Sequence, residues 1–357
     1  MYTRMNRKIS INLDNKYLQY CGRIDKIDVR KYCFVYPYSS ITLRAKTTSI
    51  EIIIENMHEY WEHSLGYVID GVQGKVDIGN EPGNQRIVIQ DNMEDKVHDI
   101  IIFKRQDCCH QFYLKEILID VAGEVLEPPE MPKRRMEVYG DSVSAGEVSE
   151  AVDYVGIEDP EEHNGRYSNS WYSYAAIAAR KLQASLHDIA QGGIALLPGT
   201  GWFQPPQYMG MEQVYDKVQY NPYFGSSTDW DFEQYIPHVV IVAIGQNDNH
   251  PEDYMREDYE GERGVRWRNH YRAFVQGLRE RYPDARIILT TTILNHDESW
   301  DKAIASVCES LNDDKVTQFR YRNNGCGTKG HVRIPEAEQM AEELTEYITS
   351  LGEEIWE

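Results

Sequence analysis

The chain reads as two units of different class: an all-β sandwich of jelly-roll type, then an α/β domain whose parallel sheet carries helices on both faces. Three observations predict this. Short strand-like runs separated by turn residues fill the first third, β and α patterns alternate from residue 135 onward, and a proline-rich stretch, Glu127-Pro128-Pro129-Glu130-Met131-Pro132, lies between them. The expected limits are a sandwich over 1–127, a linker over 128–134 and an α/β domain over 135–357. A length of 357 residues exceeds most single cores, and an apolar fraction of 41% is ordinary for globular proteins.

In the first unit, 40–45 alternates, 49–55 is strand-like, and Tyr67-Val68-Ile69-Asp70-Gly71 ends in a hairpin signal. Residues 85–89 and 99–103 continue the pattern, and several short strands with turns between them suggest a sandwich. In the second unit, 135–139 has β character, and 238–244 is a continuous apolar run of the kind expected for a strand buried on both faces. Residues 169–182, 267–282 and 335–349 read as helices, with a clear strand at 286–292. Alternating β and α elements imply a parallel sheet.

Three segments sit where such a sheet would bring chemistry together: Gly140-Asp141-Ser142, Gly245-Gln246-Asn247-Asp248 and Gly330-His331. Ligands bind outside the carboxyl ends of strands in open α/β sheets, which is where Ser142 would stand. A serine hydroxyl needs a base to accept its proton and donors for the oxyanion formed on attack. Asn247, at the end of a buried strand, is the candidate side-chain donor. A backbone donor is expected in Gln191-Gly192-Gly193, with Gly193 favoured over Gly192. His331 lies in a glycine-flanked loop before the last helix and is the candidate base, chosen over His250 among 11 histidines. Taken alone, each segment is also an ordinary turn, loop or surface histidine; their order and strand contexts join them. The arrangement is that of an ester hydrolase.

These motifs, with His98-Asp99-Ile100-Ile101-Ile102-Phe103-Lys104-Arg105 and Gly192-Gly193, give the chain its resemblance to SGNH or GDSL-type hydrolases, and more narrowly to carbohydrate esterases of family two. The resemblance runs over almost the whole chain. It implies a flavodoxin-like SGNH domain behind a jelly-roll domain, with Ser142 as nucleophile, Gly193 and Asn247 as oxyanion donors and His331 as base. It also implies removal of acetyl groups from hemicellulose-derived mannan or xylan oligosaccharides. One departure stands out: the aspartate that many SGNH enzymes place two or three residues before the histidine is replaced here by Lys329 and Thr328. The expectation is therefore a Ser-His dyad, with His331 Nδ1 held by a backbone carbonyl of the 327–330 loop and a pKa near or below about 6.5. A carbohydrate-binding protein with a degenerate site, and a lipid esterase or thioesterase, are the alternatives.

The Gly-x-Ser-x-Gly elbow is missing around Ser142, and neither a Gly-x-Gly-x-x-Gly nor a Walker loop occurs. Residues 1–130 carry 16 basic and 20 acidic side chains; the remainder carries 21 and 38, a net of −17. That acidity repels phosphate backbones and anionic lipids, so neither nucleic acid nor membrane is expected as partner, and it also serves simple solubility. The six cysteines form no Cys-x-x-Cys pair; no metal or cofactor is expected. The basic opening Met1 to Lys8 lacks the apolar core of a signal peptide, and a cytoplasmic protein is expected. Among the loop aromatics Trp202, Tyr208, Tyr223, Trp230 and Trp300, the last is expected to form a stacking platform for sugar.

Overall fold

The computed structural model describes residues 7–225 and 227–357; residues 1–6 of the basic opening segment lie outside it. The first unit is two antiparallel six-stranded sheets. One runs through Ile24–Asp25, Tyr32–Phe34, His110–Asp120, Ile50–His58 and Gly83–Gln90, with Lys8–Ile11 also paired to His110–Asp120. The other runs through Glu124–Leu126, Ser40–Thr47, Lys96–Lys104, His63–Ile69 and Val72–Ile78, with Gln19–Cys21 beside Ser40–Thr47. Alternation explains the sandwich: Leu43 and Ala45, Ile52 and Ile54, and Ile100 and Ile102 point into one apolar core while their neighbours face outward. The Asp70-Gly71 turn joins two of these strands, as expected. His110–Asp120 is the longest strand, and its register shifts between Leu114 and Glu116, which breaks the period-two pattern a sequence reading depends on.

The second unit is a parallel sheet of β1 (Arg134–Gly140), β2 (Ala184–Ala190), β3 (Val239–Ala243), β4 (Arg286–Thr290) and β5 (Val316–Gln318), in the order β2-β1-β3-β4-β5. β1 begins one residue inside the expected linker, eight residues after Leu126 closes the last sandwich strand. Four longer helices cover it: α1 (Tyr174–Lys181), α2 (Glu262–Arg281), α3 (Glu298–Leu311) and α4 (Ile334–Ser350). The reason β3 reads as a continuous apolar run is visible in its packing. Val240 and Val242 share a core with Trp267 of α2 and Trp300 of α3, whereas Val239 and Ile241 share another with Ala178 of α1 and Leu344 of α4. The expected helix at 169–182 is split, because Ser173 caps α1 by accepting a hydrogen bond from the Ala176 N–H at 3.2 Å. With this strand order the chain reverses direction across the sheet between β1 and β3, and that crevice is where open α/β folds bind ligands.

Candidate active site

Ser142 follows β1 and Asn247 follows β3, so both stand at that crevice. Asp141 opens the one-turn helix Ser142–Ala145, its Oδ1 accepting the Val143 N–H at 3.0 Å. Its Oδ2 accepts from Gln246 Nε2 at 2.7 Å and Asn247 Nδ2 at 3.1 Å, which ties the Gly-Asp-Ser turn to the loop after β3. Thr292, just past β4, donates to Gln246 Oε1 at 2.7 Å and extends the brace to a third strand. Asp248 accepts the backbone N–H groups of Leu196 and Leu197, fixing the loop that follows Gly193.

The structure separates the two glycines. Gly192 donates its N–H to Asp107 Oδ2 at 2.6 Å, whereas the Gly193 N–H has no partner among the described residues. Gly193 adopts φ +70°, and a Cβ there would meet Trp202 Cβ at 2.7 Å, so a side chain is excluded on both counts. Asn247 is more encumbered: its Nδ2 also donates to the Ile194 carbonyl at 3.0 Å, so an oxyanion would compete with Ile194 or Asp141 for one of these hydrogens.

Ser142, Gly193, Asn247 and His331 line one cleft of about 920 Å³, which the sandwich walls with Tyr60 and Trp61. Among the described residues no direct hydrogen bond joins Ser142 to His331. The dyad expectation is corrected here. His331 Nδ1 lies 2.6 Å from Asp159 Oδ2, a carboxylate rather than a carbonyl of the 327–330 loop, and the His331 N–H donates to Asp159 Oδ1 at 2.8 Å. Arg333, fully buried, donates from Nη2 to the same Oδ1 at 2.8 Å and from Nη1 to the His331 carbonyl. Asp159 belongs to the irregular stretch between the one-turn helix and α1. It approaches so closely that a Cβ on Gly330 would lie 2.6 Å from Asp159 Oδ1. A carboxylate at Nδ1 fixes the proton there and leaves Nε2 to accept one.

The charges follow from this geometry. Burial would lower the His331 pKa, but the carboxylates of Glu147 and Asp159 outweigh it and hold the imidazole at about 9. This corrects the expectation of a value near or below the ordinary one. Burial also opposes ionisation of Asp159, yet its bonds with His331 and the charge of Arg333 hold it well below the usual carboxylate range. Asp141, with no cation bonded to it among the described residues, is pushed up by burial to about 6.

Trp300 is not a stacking platform. It sits fully buried in α3, not in a loop, packs edge-on against Trp267 and donates its indole N–H to Asp253 at 2.9 Å. Trp202 is the tryptophan that the α/β domain places on the cleft wall, 58% exposed and stacked on His250 at 3.4 Å between ring centroids. Behind the cleft, His63, Cys109 and His110 bring ligand-type atoms within 4.8 Å of one another. The His63 and His110 rings stack at 3.8 Å with 25° between planes. No helix of the described residues is long and apolar enough to cross a membrane.

Residues 20–129 match the family described as carbohydrate esterase 2 N-terminal, and 138–315 match the GDSL-like lipase/acylhydrolase family. The chain joins a carbohydrate esterase 2 N-terminal domain to a GDSL-like hydrolase domain. It is 26% identical over 347 residues to cellulase/esterase CelE of Acetivibrio thermocellus, covering 93% of this chain and 39% of that protein. It is also 26% identical over 359 residues to the acetylxylan esterase/glucomannan deacetylase of Cellvibrio japonicus, covering 96% of this chain and 90% of that one. A family two carbohydrate esterase from Clostridium thermocellum, solved with cellohexaose, shares the fold with a TM-score of 0.76 at 23% identity, over 94% of this chain and 98% of that one. The GDSL-like domain is thus the part that carries Ser142 and Asn247, and the esterase 2 domain supplies the facing wall.

Proposed function

We propose that the protein is a carbohydrate O-acetylesterase acting on acetylated mannan- or xylan-derived oligosaccharides. The observation that carries this reading is one cleft lined by Ser142, the free Gly193 N–H, Asn247 and His331, with His331 Nδ1 bonded to Asp159. Ser142 Oγ attacks the acetyl carbonyl while His331 Nε2 takes its proton; Gly193 and Asn247 stabilise the oxyanion; the imidazolium then protonates the departing sugar oxygen. Water repeats the sequence on the acetyl-enzyme, releasing acetate. Asp159 steadies the imidazolium formed in both halves, which a site degenerated to mere binding would have no need of.

The relatives' names supply the sugars, xylan and glucomannan, and the exposed face of Trp202 suits the apolar face of a sugar ring. In this reading residues 1–127 form the sandwich, 128–134 the linker and 135–357 the hydrolase, with no nucleic acid or membrane partner. All six cysteines are unpaired, as a reducing cytoplasm handling imported oligosaccharides would leave them. The test is acetate release from acetylated mannan, xylan and their oligosaccharides, with wild type beside Ser142→Ala. The variant should lose roughly four orders of magnitude or more. A variant within tenfold of wild type would remove Ser142 from the chemistry, and a wild type inactive on every sugar ester would remove the substrate class.

A further inference from the structure

Four carboxyl groups line the cleft, those of Glu59, Asp107, Glu147 and Asp159, and three of them accept hydrogen bonds. Asp107 accepts from the Gly192 N–H at 2.6 Å, Gln191 Nε2 at 2.7 Å and the Cys109 N–H at 2.9 Å. Glu59 accepts from Gln204 Nε2 at 3.0 Å and from Asn221 Nδ2, and Asp159 is bonded as described above. Glu147 is the fourth, and among the described residues its carboxyl accepts no hydrogen bond. It is nevertheless buried, only 8% exposed. The carboxyl borders the cleft beside His331, so the donor it lacks within the protein is one that cleft water or a ligand supplies. A hydroxyl brought by the ligand takes the place of that water.

The chain puts Glu147 there by a short route. Gly146, at φ 72°, ends the one-turn helix that begins at Ser142, and the Glu147 N–H donates back to the Ser142 carbonyl at 2.9 Å. Glu147 Oε1 lies 3.8 Å from His331 Nε2, the atom that must protonate the departing sugar oxygen. Its other oxygen presses on the oxyanion loop, since a Cβ on Gly192 would lie 2.6 Å from Glu147 Oε2. The carboxyl therefore lies between His331 and the loop that carries Gly193. An acetyl group brings no hydrogen-bond donor. The donors on a sugar ester are its hydroxyls, and the one on the neighbouring ring carbon is a single O–C–C–O link from the leaving oxygen.

We infer that Glu147 is a specificity-determining residue that binds the hydroxyl vicinal to the acetylated position, so that the cleft selects acetyl esters of sugar diols over simple acetyl esters. This rests on the proposed esterase reading. Burial pushes the carboxyl up, His331 pulls it down, and the facing carboxylates of Asp107, Asp159 and Asp141 raise it again, leaving it at about 7. Near neutrality it can accept from such a hydroxyl or donate to it.

The experiment measures kcat/KM for wild type, Glu147→Gln and Glu147→Ala on three probes: 4-nitrophenyl acetate, a xyloside acetylated beside a free hydroxyl, and its deoxy analogue lacking that hydroxyl. The ratio of sugar ester to 4-nitrophenyl acetate should fall roughly 10- to 100-fold in Glu147→Ala, the scale of losing a hydrogen bond to a charged group. Glu147→Gln, which keeps a polar amide, should fall less. Wild type should lose a similar factor on the deoxy analogue, a measurement that stands even where a variant fails to fold. Equal losses on both esters would show that Glu147 acts only through His331 and overturn the inference, as would an unchanged ratio or equal wild-type rates with and without the hydroxyl. A wild type inactive on every sugar ester overturns the parent reading and this inference with it, whereas an active wild type with an unmoved ratio overturns this inference alone.

Discussion

The proposed nucleophile and the proposed base are held in different ways. Ser142 stands on a turn braced to the ends of three parallel strands through Asp141, Gln246 and Thr292. His331 is aligned from outside the sheet, by an irregular segment that reaches it through Asp159. That segment is clamped to the start of α4: the Gly330 N–H donates to the Ile157 carbonyl at 3.1 Å, and the Gly156 N–H donates to Glu336 at 2.9 Å. A brace of strand ends resists displacement because it moves only with the sheet. A loop clamp depends on a few polar contacts, and its loss alters the electrostatics of the base more than the position of the serine. Damage to the two sides should accordingly have different signatures: turnover alone on the nucleophile side, and turnover with a displaced pH profile on the base side.

Asn247→Ala tests the braced side and should lower kcat by roughly two to three orders of magnitude, the usual cost of one oxyanion donor. Its pH profile should keep the wild-type shape. An unchanged kcat would mean that Asn247, already bonded to Asp141 and Ile194, never releases a hydrogen to the oxyanion and that Gly193 acts without it.

Two tryptophans sharpen the contrast between core and cleft. Trp300→Ala should destabilise the fold by about 3–5 kcal/mol through the cavity it leaves between α2 and α3, seen as a lowered Tm, with the saccharide KM of the remaining folded enzyme little altered. Trp202→Ala should do the reverse and raise the saccharide KM by roughly two- to tenfold, the scale of one stacking contact, at an unchanged Tm. A Trp202→Ala enzyme with wild-type KM would place sugar binding on the sandwich wall instead.

These contrasts also show why parts of the site were legible in the sequence and others were not. Ser142, Gly193 and Asn247 are fixed by the local grammar of strand ends, where an apolar run stops and a glycine lets the chain turn. The His331 loop is marked by its glycines and by the amphipathic helix behind it. Asp159 has no such marking: it lies among the acids Glu158, Glu161 and Glu162, and only the tertiary approach of its segment to Gly330 distinguishes it. Asn295-His296-Asp297-Glu298 reads as loop and so suggests an exposed Trp300; yet Asp297 caps α3 by accepting the Ser299 N–H at 3.0 Å, a signal present in the sequence. In the sandwich, the longest strand is hidden in its sequence because its bulge interrupts alternation midway.

The claim on which the account turns is that a carboxylate, Asp159, aligns and charges the base. The direct measurement is the pH dependence of kcat/KM for wild type and Asp159→Asn. His331 works as a base only when deprotonated, so with its pKa held at about 9 the wild-type rate should climb from neutrality through that value. Glu147, titrating near 7 beside it, broadens the rise. Replacing Asp159 removes one group that raises the imidazole pKa while burial, which lowers it, remains. The rising limb should then move to lower pH even as the maximal rate falls by roughly three to four orders of magnitude. A variant with the wild-type rate and an unmoved limb would contradict the account and return His331 to a dyad aligned by the backbone.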